Sequence, residues 1–361
     1  MKLKDAKKLV LAGLLTGEST MIAGPTGAGK SEMIYEASKE YALRNDLKFV
    51  VGKLDPNDDE FSLVEKRTGQ SESTDWQGLP YFTEEEGVKY QAWAVIRDLP
   101  RKGKGVLFLD ELGQAPLSVQ AILSQLINPK ERSIGEYVLP DGWSIIVATN
   151  RKEDRSGSSG ILAHNIARGQ YANVDVDFDD WYEWAIKQDD YNPYVLSYLE
   201  LNRTALHEFD PRVIDAQPNP RSWTRLSNIL NSVEDYDDYE LFARVNVGEK
   251  ESIEFGTYMR LRTKVPSLSK IVCGDETKPS SKVLKEAGLS YLTTIGLADT
   301  VANSDEDVRD EWFANAMTYV QNMGSPEFEI FFTRQCIKAD ASLMQTKTFS
   351  EFKIRNSEYE Y

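Results

Sequence analysis

The sequence predicts an α/β fold, with a parallel sheet of short apolar strands interleaved with helices and a helical region behind it. Three observations predict it. The run "TMIAGPTGAGKSEMIYEA" (Thr20 to Ala37) passes from a β-prone segment through three glycines into an amphipathic helix. Two later apolar runs, Val106 to Leu109 and Trp143 to Ala148, have strand length and end in polar residues. Beyond about residue 178 the apolar spacing turns helical and no long strand pattern returns.

The first segment, "MKLKDAKKLVLAGLLTGE", has a faint likeness to a signal peptide. Its apolar run is short and leads directly into the first strand, so it reads as an amphipathic first helix. Then come Gly24, Gly29, Lys30 and Ser31 in the spacing G-x-x-x-x-G-K-S. Between a strand and a helix this spacing is a P-loop. Glycines let the backbone wrap round an anion, and the first N–H groups of the helix have no internal partner, so they point at phosphate. Gly24, Pro25, Thr26, Gly27, Ala28, Gly29, Lys30 and Ser31 are therefore the expected nucleotide grip. Lys30 would reach the β- and γ-phosphates of ATP, and the Ser31 hydroxyl would ligate Mg²⁺.

The stretch from Lys30 to Asp110 exceeds the roughly 50 residues that a helix, a strand and a helix need. An insert at about 54–90 is expected, because "DPNDDEFSLVEKRTGQSESTDWQGLPYF" is polar and broken by Gly69, Gly78 and Pro80. Next, "GVLFLDELGQA" is a buried-type strand ending in Asp110 and Glu111. Adjacent carboxylates at a strand tip point to different sides, so Asp110 can hold Mg²⁺ while Glu111 polarises the attacking water. A helix with Val119, Ile122, Leu123 and Leu126 on one face follows, then a hairpin at about 129–143 turning at Gly135. "WSIIVATN" is a further strand ending in Thr149 and Asn150, and Asn150 can hydrogen-bond the attacking water or the γ-phosphate. Parallel sheets bind ligands at the carboxyl ends of their strands, so these features can share one crevice.

Composition limits the partners. The 361 residues include 42 Lys plus Arg against 58 Asp plus Glu, a net charge of −16. Proteins that coat duplex DNA usually present a basic field, which this chain lacks overall. Cys273 and Cys336 are isolated, which suggests a reducing, cytoplasmic setting, and two histidines make a histidine metal site improbable. No apolar run has the length of a membrane span.

The motifs "GPTGAGKS", "GVLFLDELGQAP", "NPKERSIGEYVLPDGWSIIVATNRKED", "ILAHNIARGQYANVDVDFDDWYEWA" and "PNPRSWTRLSNIL" together resemble the AAA+ ATPases, and within them the MoxR-like branch. The resemblance runs from about residue 14 to about 297. It implies a core at 1–178 with a five-stranded parallel sheet in the order 5-1-4-3-2. An α-helical lid at 179–300 and a helical extension at 301–361 would follow. By the same resemblance Asn150 is sensor 1, Arg168 the arginine finger and Arg221 the sensor 2 arginine. Gly169 follows Arg168 where family members carry an apolar residue, and Arg155 is a second finger candidate. The resemblance further implies a homo-oligomeric ring, hexameric in the family. It also implies chaperone-like work on a separate protein, for example one with a von Willebrand factor A domain. Two other readings stay open. One is a nucleic-acid motor or loader, for which Lys66, Arg67, Lys130 and Arg132 speak. The other is a nucleotide-gated scaffold with little turnover.

Overall fold

The computed structural model describes residues 1–94, 96–154, 160–188, 190–233 and 238–357. The chain divides into two compact units. The first comprises 1–181 with 209–214 and 219–221, and the second comprises 182–208, 215–218 and 222–361. In the first unit helix α1 (Leu3–Thr16) and helix α2 (Lys30–Arg44) flank strand β1 (Thr20–Ala23) in sequence. The remaining strands are β2 (Lys48–Val51), β3 (Glu60–Arg67), β4 (Pro80–Glu85), β5 (Val88–Trp93), β6 (Gly105–Asp110), β7 (Ser133–Ile134), β8 (Tyr137–Val138), β9 (Trp143–Thr149) and β10 (Gln170–Asn173).

Six strands form the main sheet, ordered β10-β1-β9-β6-β3-β2, and every pairing in it is parallel. Five strands were expected. The sixth is β2, which pairs only with β3 at the sheet edge, so the order 5-1-4-3-2 holds only for the part from β10 to β3. The central strands are buried on both faces, as parallel strands covered by helices must be. Alternate residues feed two layers. Val106, Phe108, Ile146 and Ala148 pack with α1 and α2, while Leu107, Leu109, Ile145 and Val147 pack with the helix Leu117–Ile127.

The expected insert at 54–90 needs correcting. β3, inside that stretch, is a sheet strand between β2 and β6. Its charged start hid it. Glu60 is buried, but its carboxylate is held by Lys53 and by the Asn57 N–H. What lies outside the sheet is the stretch 68–99, a 3₁₀ turn, a short helix (Ser73–Gln77) and the antiparallel hairpin β4–β5. This hairpin exposes Leu79, Tyr81, Phe82, Val88, Tyr90 and Trp93. The second hairpin, β7–β8, turns at Gly135 as anticipated.

The second unit is helical among the described residues. The expected division at 300 falls inside the helix Ala287–Ala302. That helix packs in one core with Phe313, Phe332, Leu343 and Phe352, so 301–361 is no separate appendage. Tyr198, Trp223, Phe255 and Tyr258 form a second aromatic cluster. No helix among the described residues is long and apolar enough to cross a membrane.

Candidate active site

Topology brings the motifs together. β1 lies between β10 and β9, and β6 is the next strand beyond β9. The carboxyl ends of β1, β9 and β6 are therefore neighbours, and a cleft opens there. Thr26 to Ser31, Asp110 and Glu111, Thr149 and Asn150, and Arg221 line it. All of these belong to the first unit.

Gly29 caps α2 with φ 93°, a left-handed conformation that glycine alone adopts without strain. The cap turns the first N–H groups of the fifteen-residue helix α2 toward the cleft. Lys30, the first residue of α2, is 7% exposed. Its Nζ donates to the carbonyls of Gly24 and Pro25, both at 2.9 Å, and to Asn150 Oδ1 at 3.0 Å. Gly24 and Pro25 do not line the cleft; they hold the lysine that does.

Burial pulls the Lys30 ammonium down to about 8; the Asp110 carboxylate works against burial and Arg221 works with it. A phosphate beside Lys30 would raise that pKa again. Below about 8 the lysine is already charged, and above it binding must take up a proton. ATP affinity is therefore expected to be flat below pH 8 and to weaken above it, by up to about tenfold per pH unit. Calorimetry between pH 7 and 9.5, in buffers of different ionisation heat, reads both the affinity and the proton. Affinity independent of pH across that range would remove Lys30 from the phosphate.

Ser31 Oγ donates to Asp110 Oδ2 at 3.4 Å, and the Glu111 N–H donates to Asp110 Oδ1 at 2.9 Å. Burial raises the Asp110 carboxyl above its ordinary range, while the Glu111 N–H draws it back. A hydroxyl and a carboxylate side by side are the hard oxygen donors that suit Mg²⁺. Ser31 and Asp110 would hold that ion, which would supply charge neutralisation to the phosphates.

Glu111 has φ 60° and ψ 32°, left-handed for a residue with a side chain. Such a conformation is costly and collects at functional sites. The Glu111 carbonyl accepts from the Gln114 N–H, and the Asp110 carbonyl accepts from Thr68 Oγ1 at 2.8 Å. Thr149, to which the sequence assigns no role, also lines the cleft; its Oγ1 accepts from the Gly113 N–H at 3.0 Å. It ties the tip of β9 to the turn after Glu111. Its signal was only its place beside Asn150.

The Arg221 N–H donates to the Gly27 carbonyl at 3.3 Å, which sets this arginine at the cleft wall. Arg168 is elsewhere. It does not line the cleft, and its Nη1 donates to the Ser124 carbonyl at 2.6 Å. Gly169 explains the departure from the family pattern, because a Cβ there would lie 2.3 Å from the Ser19 carbonyl oxygen. Arg155 lies outside the described residues.

No family model and no curated protein matches the chain. Among solved structures it is similar to NtrX from Brucella abortus in complex with ADP. The identity is 15% and the TM-score 0.37, over 98% of this chain and 67% of that one. The complex of the same protein with ATP gives 14% and 0.37, over 98% and 67%. A DNA replication initiation factor gives 12% and 0.30, over 94% of each chain. Likeness at this distance leaves the family open, and the functional reading rests on the chain's own cleft.

Proposed function

We propose that this chain is an ATP-hydrolysing, ring-forming AAA+ remodelling ATPase of MoxR type, acting as a chaperone-like motor on a protein partner. One observation carries the reading. Lys30, Ser31, Asp110, Glu111, Asn150 and Arg221 come from separated parts of the sequence and line or enclose one cleft at the strand ends. Phosphate is gripped by the P-loop N–H groups and Lys30. Water attacks the γ-phosphorus, its proton passes to Glu111, and ADP leaves. Asn150 orients the water, and Arg221 meets the γ-phosphate within its own subunit. Arg168, set away from its own cleft, acts on the cleft of a neighbouring subunit in a hexameric ring. The protein partner is a separate chain, of which a von Willebrand factor A domain is the leading kind.

A protein target is supported by charge. The net charge is −16, and the exposed β4–β5 hairpin carries Glu84, Glu85 and Glu86. The basic residues that favoured nucleic acid are largely engaged. Lys66 faces Asp98, Arg67 bonds Glu65, and Arg132 donates to the carbonyls of Pro140 and Trp143.

Measured at physiological salt, ATP turnover by the purified protein is expected to be unchanged by duplex DNA, and DNA binding to be weak and salt-sensitive. Tight duplex binding, or marked stimulation by it, would move the reading to a nucleic-acid motor. Absence of any turnover would move it to a nucleotide-gated scaffold.

A further inference from the structure

Gln120 has no assigned role, yet it is fully buried and its side chain is saturated with hydrogen bonds. It sits on the first turn of the helix Leu117–Ile127, a few residues after Glu111. Its Nε2 donates to the carbonyls of Ala115 and Gly160, both at 3.2 Å, and its Oε1 accepts from the Leu162 N–H at 3.0 Å. Its backbone carbonyl accepts from Asn165 Nδ2 at 3.1 Å, and Asn165 is itself fully buried. The Asn165 carbonyl accepts from the Arg168 N–H at 3.0 Å. One turn along the helix from Gln120, the Ser124 carbonyl accepts from Arg168 Nη1.

These bonds form a brace. The helix that starts behind Glu111 holds the short segment Ala163–Ile166 at Gln120, and the side chain of Arg168 at Ser124. A buried amide bridging three backbone groups is a costly feature to keep without use, since removing it leaves each group unpaired.

We propose that Gln120 is a positioning residue, which holds Arg168 in place for the cleft of a neighbouring subunit. The inference rests on the trans assignment of Arg168 made above. It separates the two ends of the helix by what they serve: the Glu111 end serves the subunit's own cleft, and the braced segment serves the next one.

The test is subunit mixing with Gln120→Leu and Gln120→Glu. Leucine removes every side-chain bond; glutamate keeps the shape and the acceptor but lacks the N–H groups for Ala115 and Gly160. Each variant alone is expected to bind ATP within about twofold of the parent. Each should turn ATP over more slowly, by on the order of 10²-fold for leucine, the scale of a misplacement of about 1 Å.

A Gln120→Leu subunit then has a sound cleft and a displaced finger. Mixed with Lys30→Ala subunits, whose clefts are dead and whose fingers are sound, it should recover activity. Mixed with Arg168→Ala subunits it should not, because neither supplies a finger. A Gln120 that instead serves its own cleft gives the reverse pattern: rescue by Arg168→Ala and none by Lys30→Ala. That pattern, unchanged turnover in both variants, or no rescue by either partner would overturn the proposal. The control is Lys30→Ala mixed with Arg168→Ala. If that pair fails to recover while its subunits exchange, the trans reading of Arg168 has failed, whatever Gln120 does.

Discussion

A protein carrying Arg168→Ala is expected to bind ATP normally and to hydrolyse it roughly 10³ to 10⁵ times more slowly, the range for arginine fingers in other P-loop systems. The cause is charge. An arginine aimed at the transferring phosphoryl group stabilises it only as the transition state forms, so binding is spared and turnover is not. Arg168 lies off its own cleft, with one guanidinium nitrogen on the Ser124 carbonyl. Loss within the same subunit is therefore not the explanation this placement favours.

The decisive form is a mixture. Lys30→Ala removes the cation facing the β- and γ-phosphates, so that subunit should lose ATP binding while keeping its finger. Combined with Arg168→Ala subunits, some neighbours pair a sound cleft with a sound finger, and part of the turnover should return. A plain surface arginine predicts that Arg168→Ala is active alone. An arginine acting in its own cleft predicts two inactive variants that stay inactive together. Fluorescence exchange between labelled subunits must accompany the assay. With exchange shown and no recovery, the trans role of Arg168 falls and Arg155 becomes the residue to substitute.

Glu111→Gln should behave differently. Glutamine keeps the size of the side chain and leaves Ser31 and Asp110 in place, but it cannot take the proton of the attacking water. ATP should bind and stay, with turnover down by on the order of 10²-fold or more. Retention of unhydrolysed ATP on the protein, followed by filter binding and single-turnover quench, checks it. A turnover like the parent's would place the base elsewhere, with Asp110 next in line. The left-handed φ of 60° at this position adds a control. Glu111→Gly removes the base and the backbone cost at once, so it should be as slow as glutamine while being no less stable.

Much of this site was legible because its residues carry their own geometry. Gly29 and Lys30 can be read from spacing, since only a glycine turn into a helix produces that spacing with purpose. Asp110 and Glu111 can be read because two carboxylates close an otherwise apolar strand. Asn150 depended on order along the chain, and Lys30 Nζ at 3.0 Å from its Oδ1 brings it to the same cleft. Other features left no local trace. β3 opens on Glu60, and a buried charge paired with Lys53 looks polar in sequence. The edge strand β2 is half exposed, so its pattern is weak. The brace at Gln120 joins residues about forty positions apart through backbone groups, which have no sequence signature at all. The boundary at 300 failed for a similar reason, because the helix Ala287–Ala302 is apolar nearly all round and so must be packed on several sides.

The β4–β5 hairpin has a consequence for the protein in the test tube. Phe82 is 81% exposed, and five more large apolar side chains on that hairpin or beside it face water. Such side chains adhere to one another whenever molecules meet. The surplus of sixteen negative charges keeps molecules apart, but only while its field reaches beyond the surface. That reach is about 10 Å at 0.1 M salt and about 3 Å at 1 M. Solubility should therefore fall as salt rises, opposite to the behaviour of a protein held in aggregates by ion pairs. Turbidity that appears at high salt, and is lost in Phe82→Ser, would belong to this hairpin and not to ring assembly.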